Sequence, residues 1–141
     1  SEMSTTLINP LNEALGWELR AINMYAHFAA IVRGIHRIQF APMFQTEATE
    51  SHAHADIVRR AIVKLDGMPV TERNNTPISN STSYVDMLQS ALETETKAAE
   101  LYGRLLEMLK EFDDRELFDA IEQIYLAELR SIEDLRLITS N

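Results

Sequence analysis

The sequence predicts an all-α protein, an antiparallel four-helix bundle with one long crossover between its second and third helices. Three observations predict it. Glycine and proline number only four each in 141 residues, and they leave 11–33, 43–66, 78–102 and 104–141 nearly free of helix breakers. Within each stretch, apolar residues recur at alternating spacings of three and four, the repeat of one helix face. Two of the intervening connections are short and the middle one is long. The whole of 1–141 reads as a single domain, and no strand pattern competes with the helices.

The elements follow in order. Helix one is expected over 10–34, with Leu11, Leu15, Glu18, Ile22, Tyr25, Ala29 and Val32 on one face. Helix two is expected over 40–66, where Phe40, Phe44, Glu47, Ser51, His54, Val58, Ala61 and Leu65 share a face. Helix three, over 82–110, aligns Val85, Leu88, Leu92, Glu95, Ala99, Tyr102, Leu106 and Leu109. Helix four, over 114–139, aligns Leu117, Ile121, Ile124, Glu128, Ser131, Leu135 and Ile138. The short links near 34–41 and 111–114 make two antiparallel hairpins. The acidic run from Glu111 to Asp114 serves as a solvated turn and a cap for helix four. The link near 67–81 is rich in Asn, Thr and Ser, and is long enough to run the length of the bundle.

Composition narrows the function. Thirteen Lys and Arg against 22 Asp and Glu give a formal net charge of -9, which repels nucleic acid and anionic membrane and attracts cations. Without cysteine there is no disulfide, thiolate metal site or thiol catalysis. No apolar run reaches the roughly 18 residues of a membrane helix, and no signal peptide is visible. A cytoplasmic protein is the expectation.

The informative residues interrupt the apolar stripes. Glu18, His54, Glu95 and Glu128 each fall near the middle of a buried face. Unpaired charge in a dry core costs several kcal/mol, and a bound cation compensates several carboxylates at once. Oxygen and imidazole donors without sulfur suit iron, manganese or zinc. Carboxylate-bridged di-iron bundles use one Glu from each of two helices and Glu-x-x-His from each of the other two. Here Glu18 and Glu95 match the single glutamates. Ser51-x-x-His54 and Glu128-x-x-Ser131 each keep half of the paired motif.

Around these positions the chain resembles bacterioferritin, within the ferritin-like superfamily. The resemblance is carried by Leu11-Asn12, Glu18-Leu19, Ala21-Ile22-Asn23 and Tyr25 on helix one. On helix two it is carried by His54-Ala55-Asp56, Arg60 and Leu65-Asp66-Gly67-Met68-Pro69, and the separation of Glu95 from Glu128 fits without a gap. It spans about 11–138 and is more specific in the first two helices than in the last two. It implies a ferritin-like fold, iron as the metal, and a ferroxidase-type oxidoreductase chemistry where the site is competent. By resemblance, Glu18 and His54 are terminal ligands of one iron, Glu95 is a terminal ligand of the second, and Glu128 is a bridge. The second bridge falls at Ser51 and the second histidine at Ser131. Protonated serine is a poor iron ligand, so the expected site is reduced or mononuclear, holding iron or another divalent metal. Glu47 and Glu50 stand near the gap, but helical side chains lean toward their own N-terminus, which carries both away from it.

The resemblance also marks a haem-facing position, which is His52 here. Histidine is a common axial ligand, and His52 is the one candidate for that role, although a plain surface histidine is the preferred reading. No fifth helix follows helix four, so a homodimer through helices one and two is expected rather than a hollow cage. A bundle that binds no metal and serves as a dimeric scaffold or partner-binding protein is the competing reading. Tyr25 and Tyr102 read as core residues with bonded hydroxyls rather than redox relays.

Overall fold

The computed structural model describes residues 1–140. It contains four helices: α1 (Glu2–Ile31), α2 (Arg37–Lys64), α3 (Tyr84–Leu109) and α4 (Arg115–Thr139). Among the described residues there is no strand. Two hairpins, α1–α2 and α3–α4, are joined by the crossover at 65–83, and none of the helices is long and apolar enough to cross a membrane.

The ends of three helices lie within three residues of expectation. The start of α1 does not, because Pro10 lies inside the helix and not at its edge. Two features outweigh the lost N–H. Ser1 caps the helix by accepting from the Ser4 amide at 3.1 Å. The extra turns also carry Leu7, fully buried, and Ile8, which packs on the core. At the other ends the stripes outrun the core: Val85 and Ile138, expected inside, are exposed.

Short links need special backbone. Gly34 turns between α1 and α2 with φ +101, a conformation disfavoured for side chains with a Cβ. After α2, Gly67 packs so close to Ile8 that a Cβ would stand 2.9 Å from it. Asp114 caps α4 as expected, accepting from the Leu117 amide at 3.0 Å, and its carboxylate meets Lys64 of α2 at 2.9 Å.

The crossover lies along α1 and is fastened to it at regular intervals. Asn12 donates to the Met68 carbonyl at 3.0 Å and accepts from the Val70 amide at 2.8 Å. One turn on, the Asn74 amide donates to the Gly16 carbonyl at 2.9 Å. A further turn on, Arg20 donates to the carbonyls of Thr76 and Pro77 at 2.9 and 2.8 Å. The period of the helix thus sets the path of an irregular segment.

The core has two apolar clusters. One contains Leu7, Leu11, Leu15, Val58, Ile62, Leu105 and Ile121, and the other contains Met24, Phe28, Val32, Phe44, Met87 and Leu135. Between them lies a layer of buried polar groups that includes Glu18, Ser51, His54, Glu95 and Glu128.

Candidate metal centre

Each helix contributes to the polar layer. Glu18 comes from α1, Ser51 and His54 from α2, Glu95 from α3, and Glu128 from α4. All five are buried. The stripes that bury their apolar neighbours carry these residues inward with them.

Three of the four expected ligands converge. Glu18, His54 and Glu128 each present a ligand atom within 4.8 Å of the other two. His54 Nδ1 lies 3.1 Å from Glu128 Oε1 and 3.5 Å from Glu18 Oε2. Neither approach is aligned as a hydrogen bond, so His54 Nδ1 is buried without a partner, and Glu128 Oε2, the other oxygen of that carboxylate, is buried without one as well. Groups of this kind are rarely left unpaired in a folded protein, and here both belong to one concave trio.

Glu95 is not part of that trio. Its Oε1 accepts from the Tyr25 hydroxyl at 2.6 Å. Glu18 Oε2 accepts likewise from Tyr102 at 2.6 Å. Burial raises both phenols well above their ordinary range, and the charge of Glu47 adds most to the rise at Tyr25 and that of Glu18 at Tyr102. Both therefore remain donors, each fixing one carboxylate oxygen. The two bonds are reciprocal: each helix supplies one Glu and, seven residues later, one Tyr. Two turns along antiparallel helices bring each tyrosine to the other's glutamate. The expectation of bonded hydroxyls was correct, and that seven-residue spacing was the signal that could have named the partners.

The electrostatics follow from the crowding. Burial pulls the His54 imidazole down, but Glu128 and Glu18 outweigh it and raise it to about 10. Burial pushes Glu128 up to about 7, with Glu18 and Glu50 adding and His54 opposing. Glu47 is also held up to about 7, by burial and then by the charge of Glu50. Glu50 is not part of the trio, and its Oε1 lies 3.8 Å from His54 Nε2. An i,i+4 pair on one helix face brings them together. It approaches the nitrogen opposite to the one that faces Glu18 and Glu128.

The two serines share a level. In the antiparallel α2–α4 pair, the register that brings His54 to Glu128 also sets Ser51 level with Ser131, three residues earlier and three later. Ser131 lines a cavity of about 260 Å³ with Tyr25, Met43, Glu47 and Asp134. His54 also lines a separate groove with Ile57, Gln123 and Arg130 between α2 and α4. His52 points elsewhere. Its side chain is 68% exposed and lies 3.7 Å from Asp56.

A family model for the ferritin-like domain matches residues 8–140, nearly the whole chain. The chain belongs to the ferritin-like family. No curated protein matches it by sequence. Solved structures do. A ferritin-like diiron-carboxylate protein from Bacillus anthracis str. Ames is 29% identical, with a TM-score of 0.93 over 99% of each chain. A dodecameric thioferritin, the bacterioferritin-related protein of Bacteroides fragilis, is 25% identical, with a TM-score of 0.86 over 94% of this chain and 83% of that one. The bacterioferritin of Desulfovibrio desulfuricans, which has a diiron site, shares the fold at 22% identity and a TM-score of 0.88, over 98% of this chain and 80% of that one. Against the ferritin-like pattern quoted above, Ser51 and Ser131 are the departures, and both lie on the α2–α4 side.

Proposed function

We propose that this ferritin-like chain takes up a divalent metal, iron(II) foremost, at a single buried site made by Glu18, His54 and Glu128. The observation that carries this reading is the pair of buried, unbonded atoms His54 Nδ1 and Glu128 Oε2 within a trio whose ligand atoms lie within 4.8 Å. One imidazole and two carboxylates suit iron, manganese or zinc. When bound, iron supplies the redox chemistry, and the chain supplies ligands and orientation. Tyr102 holds Glu18 in place, leaving His54 Nδ1 and Glu128 as the open faces. Glu95 stands at the second position, held by Tyr25. Ser51 and Ser131 provide no carboxylate or imidazole there, so one metal per chain is the expected capacity.

Family membership supports iron as substrate and a ferroxidase-type oxidation, carried out at a reduced site. A cytoplasmic protein is part of the same reading. It is also an assembled one: a homodimer is the simplest form, and the dodecameric relative supports larger assemblies. For His52 the supporting observation is its exposure away from the trio. A Soret band in purified protein that His52→Ala removes would establish haem there.

A second reading rests on a specific observation. His54 Nδ1 lies 3.1 Å from Glu128 and 3.5 Å from Glu18, and the two carboxylates raise its imidazole, so a proton on His54 can itself balance them. The bundle would then be a metal-free scaffold. An anaerobic iron(II) titration of metal-free protein, followed by air, separates the two. One tight equivalent that oxidises slowly supports the reduced site. Two equivalents that oxidise fast would show that the serines do not limit it. No uptake of iron, zinc or manganese would leave the scaffold.

A further inference from the structure

A second polar site lies on the opposite flank, where the crossover meets α1 and α3. Arg20 is only 6% exposed, although it carries a full charge. Its guanidinium donates to the carbonyls of Thr76 and Pro77 and, at 3.2 Å, to the Thr94 hydroxyl. Arg73 donates to the same Thr76 carbonyl at 3.0 Å and to that of Asn74 at 2.9 Å. Two guanidiniums therefore converge on one oxygen atom. Among the described residues no carboxylate forms an ion pair with either. That is unusual in a chain with 22 acidic residues against 13 basic ones. The charge of Arg73 opposes that of Arg20, and the exposed carboxylate of Glu93 offsets the buried guanidinium without forming an ion pair with it.

Beside Arg20 is a cavity of about 190 Å³ whose walls include Trp17, Arg20, Thr76, Ser79, Ser90 and Thr94; Arg73 is outside the wall and reaches it through the shared Thr76 carbonyl. Hydroxyls, indole and guanidinium form most of this lining. It is smaller than the roughly 300 Å³ at which sites for drug-sized ligands begin. It has room for an ion or a small ester. Glu93, also in the wall, is exposed and opposes an anion there.

From this convergence we propose that the cavity between the crossover, α1 and α3 binds a tetrahedral oxyanion, either inorganic phosphate or the head of a small phosphate monoester. The oxyanion would accept from the Arg20 N–H that the carbonyls, Thr94 and Met24 leave free and from the serine hydroxyls, with Arg73 adding positive charge from beyond the wall. Guanidinium offers five N–H groups in a planar fork that suits phosphate oxygens. The ion would relieve the repulsion between the two arginines and tighten the crossover against α1. Neither Arg20 nor Arg73 belongs to the metal site, so the two proposals stand independently.

The chain carries its own reporter. Trp17 is its only tryptophan, and the Arg20 guanidinium lies over its ring at 5.3 Å from the centroid. The test is a fluorescence titration of metal-free protein with inorganic phosphate, at constant ionic strength with chloride as control. Using metal-free protein prevents phosphate from reporting through bound iron. A parallel arm with glycerol phosphate distinguishes an ester head from the free ion by which of the two binds more tightly. The expected result is a saturable change in Trp17 emission that chloride does not produce. Arg73→Gln, which removes a positive charge beyond the wall, should weaken it severalfold, and Glu93→Gln should strengthen it severalfold. Both positions are outside the core, so both variants should fold, whereas Arg20→Gln loosens the crossover itself. A phosphate response that chloride reproduces, no response, or a folded Arg73→Gln protein that titrates like the wild type would each overturn the proposal.

Discussion

The two halves of the polar layer differ. On the α1–α3 side, Glu18 and Glu95 are each bonded at 2.6 Å by a buried tyrosine from the opposite helix. On the α2–α4 side, His54 Nδ1 and Glu128 Oε2 have no hydrogen-bond partner, and serines occupy the next positions of the register. The first half is satisfied by protein alone. The second is satisfied either by a cation or by a proton on His54. Buried polar groups are stable only in complete networks, so the incomplete half is where ligand binding is to be sought.

The largest effect should come from rebuilding the incomplete half. Combining Ser51→Glu with Ser131→His restores the donor types of the paired motif at one level of the bundle. Iron(II) stoichiometry should rise from one to two per chain, with oxidation on exposure to air at least about tenfold faster. Unchanged stoichiometry in a folded double variant would mean that Glu95 cannot serve a metal.

Breaking the trio comes next. His54→Ala removes its one nitrogen donor and strands two buried carboxylates. Metal affinity should fall by about 10²-fold or more, and urea unfolding of the metal-free protein should show a loss of about 3 kcal/mol. If stability is instead unchanged, His54 is not balancing Glu18 and Glu128.

A finer test separates the two tyrosines. Tyr102→Phe and Tyr25→Phe each leave a buried carboxylate oxygen without its donor, and each should lower stability by about 1–3 kcal/mol. Only Tyr102→Phe should also weaken metal binding, by about 10–100-fold, because only Glu18 belongs to the trio. Equal effects on metal binding would place Glu95 in the site.

The smallest effect expected is the pH dependence. Glu128 and Glu47 are both raised to about 7 in the folded state from 4.5. Their contribution is full below pH 4.5 and is lost as pH rises through about 7. His54, raised from 6.5 to about 10, contributes fully below 6.5 and loses its contribution as pH rises through about 10. All three act in one direction, so metal-free stability should fall as pH rises from 4.5 toward 10. Metal binding displaces the protons of His54 and Glu128 and favours higher pH, so the difference in Tm between iron(II)-loaded and metal-free protein should widen as pH rises. A difference that stays constant across that range would place the metal away from these groups.

Much of this was legible in the chain. The alternating three-and-four spacing placed Glu18, His54, Glu95 and Glu128 on buried faces, and all four are buried. Asp114 was readable as a cap because a carboxylate two to three residues before free helix amides has few other roles. Where the reading failed, distant contacts decided. Pro10 is a local stop signal, yet the packing of Leu7 and Ile8 carries α1 through it. Nothing local marks Arg20 as buried, since its partners Thr76, Pro77 and Thr94 lie far along the chain.

By itself the sequence determined the bundle, its two hairpins and crossover, and the level at which polar groups enter the core. These follow from helical period and breaker position, which are local properties. Only the tertiary structure decided which carboxylates meet His54, which tyrosine holds which glutamate, and where Arg20 and Arg73 converge. Those outcomes depend on the register between helices and on the path of the crossover. Both are set by packing between segments far apart in the chain, where a shift of one turn would bring different side chains together.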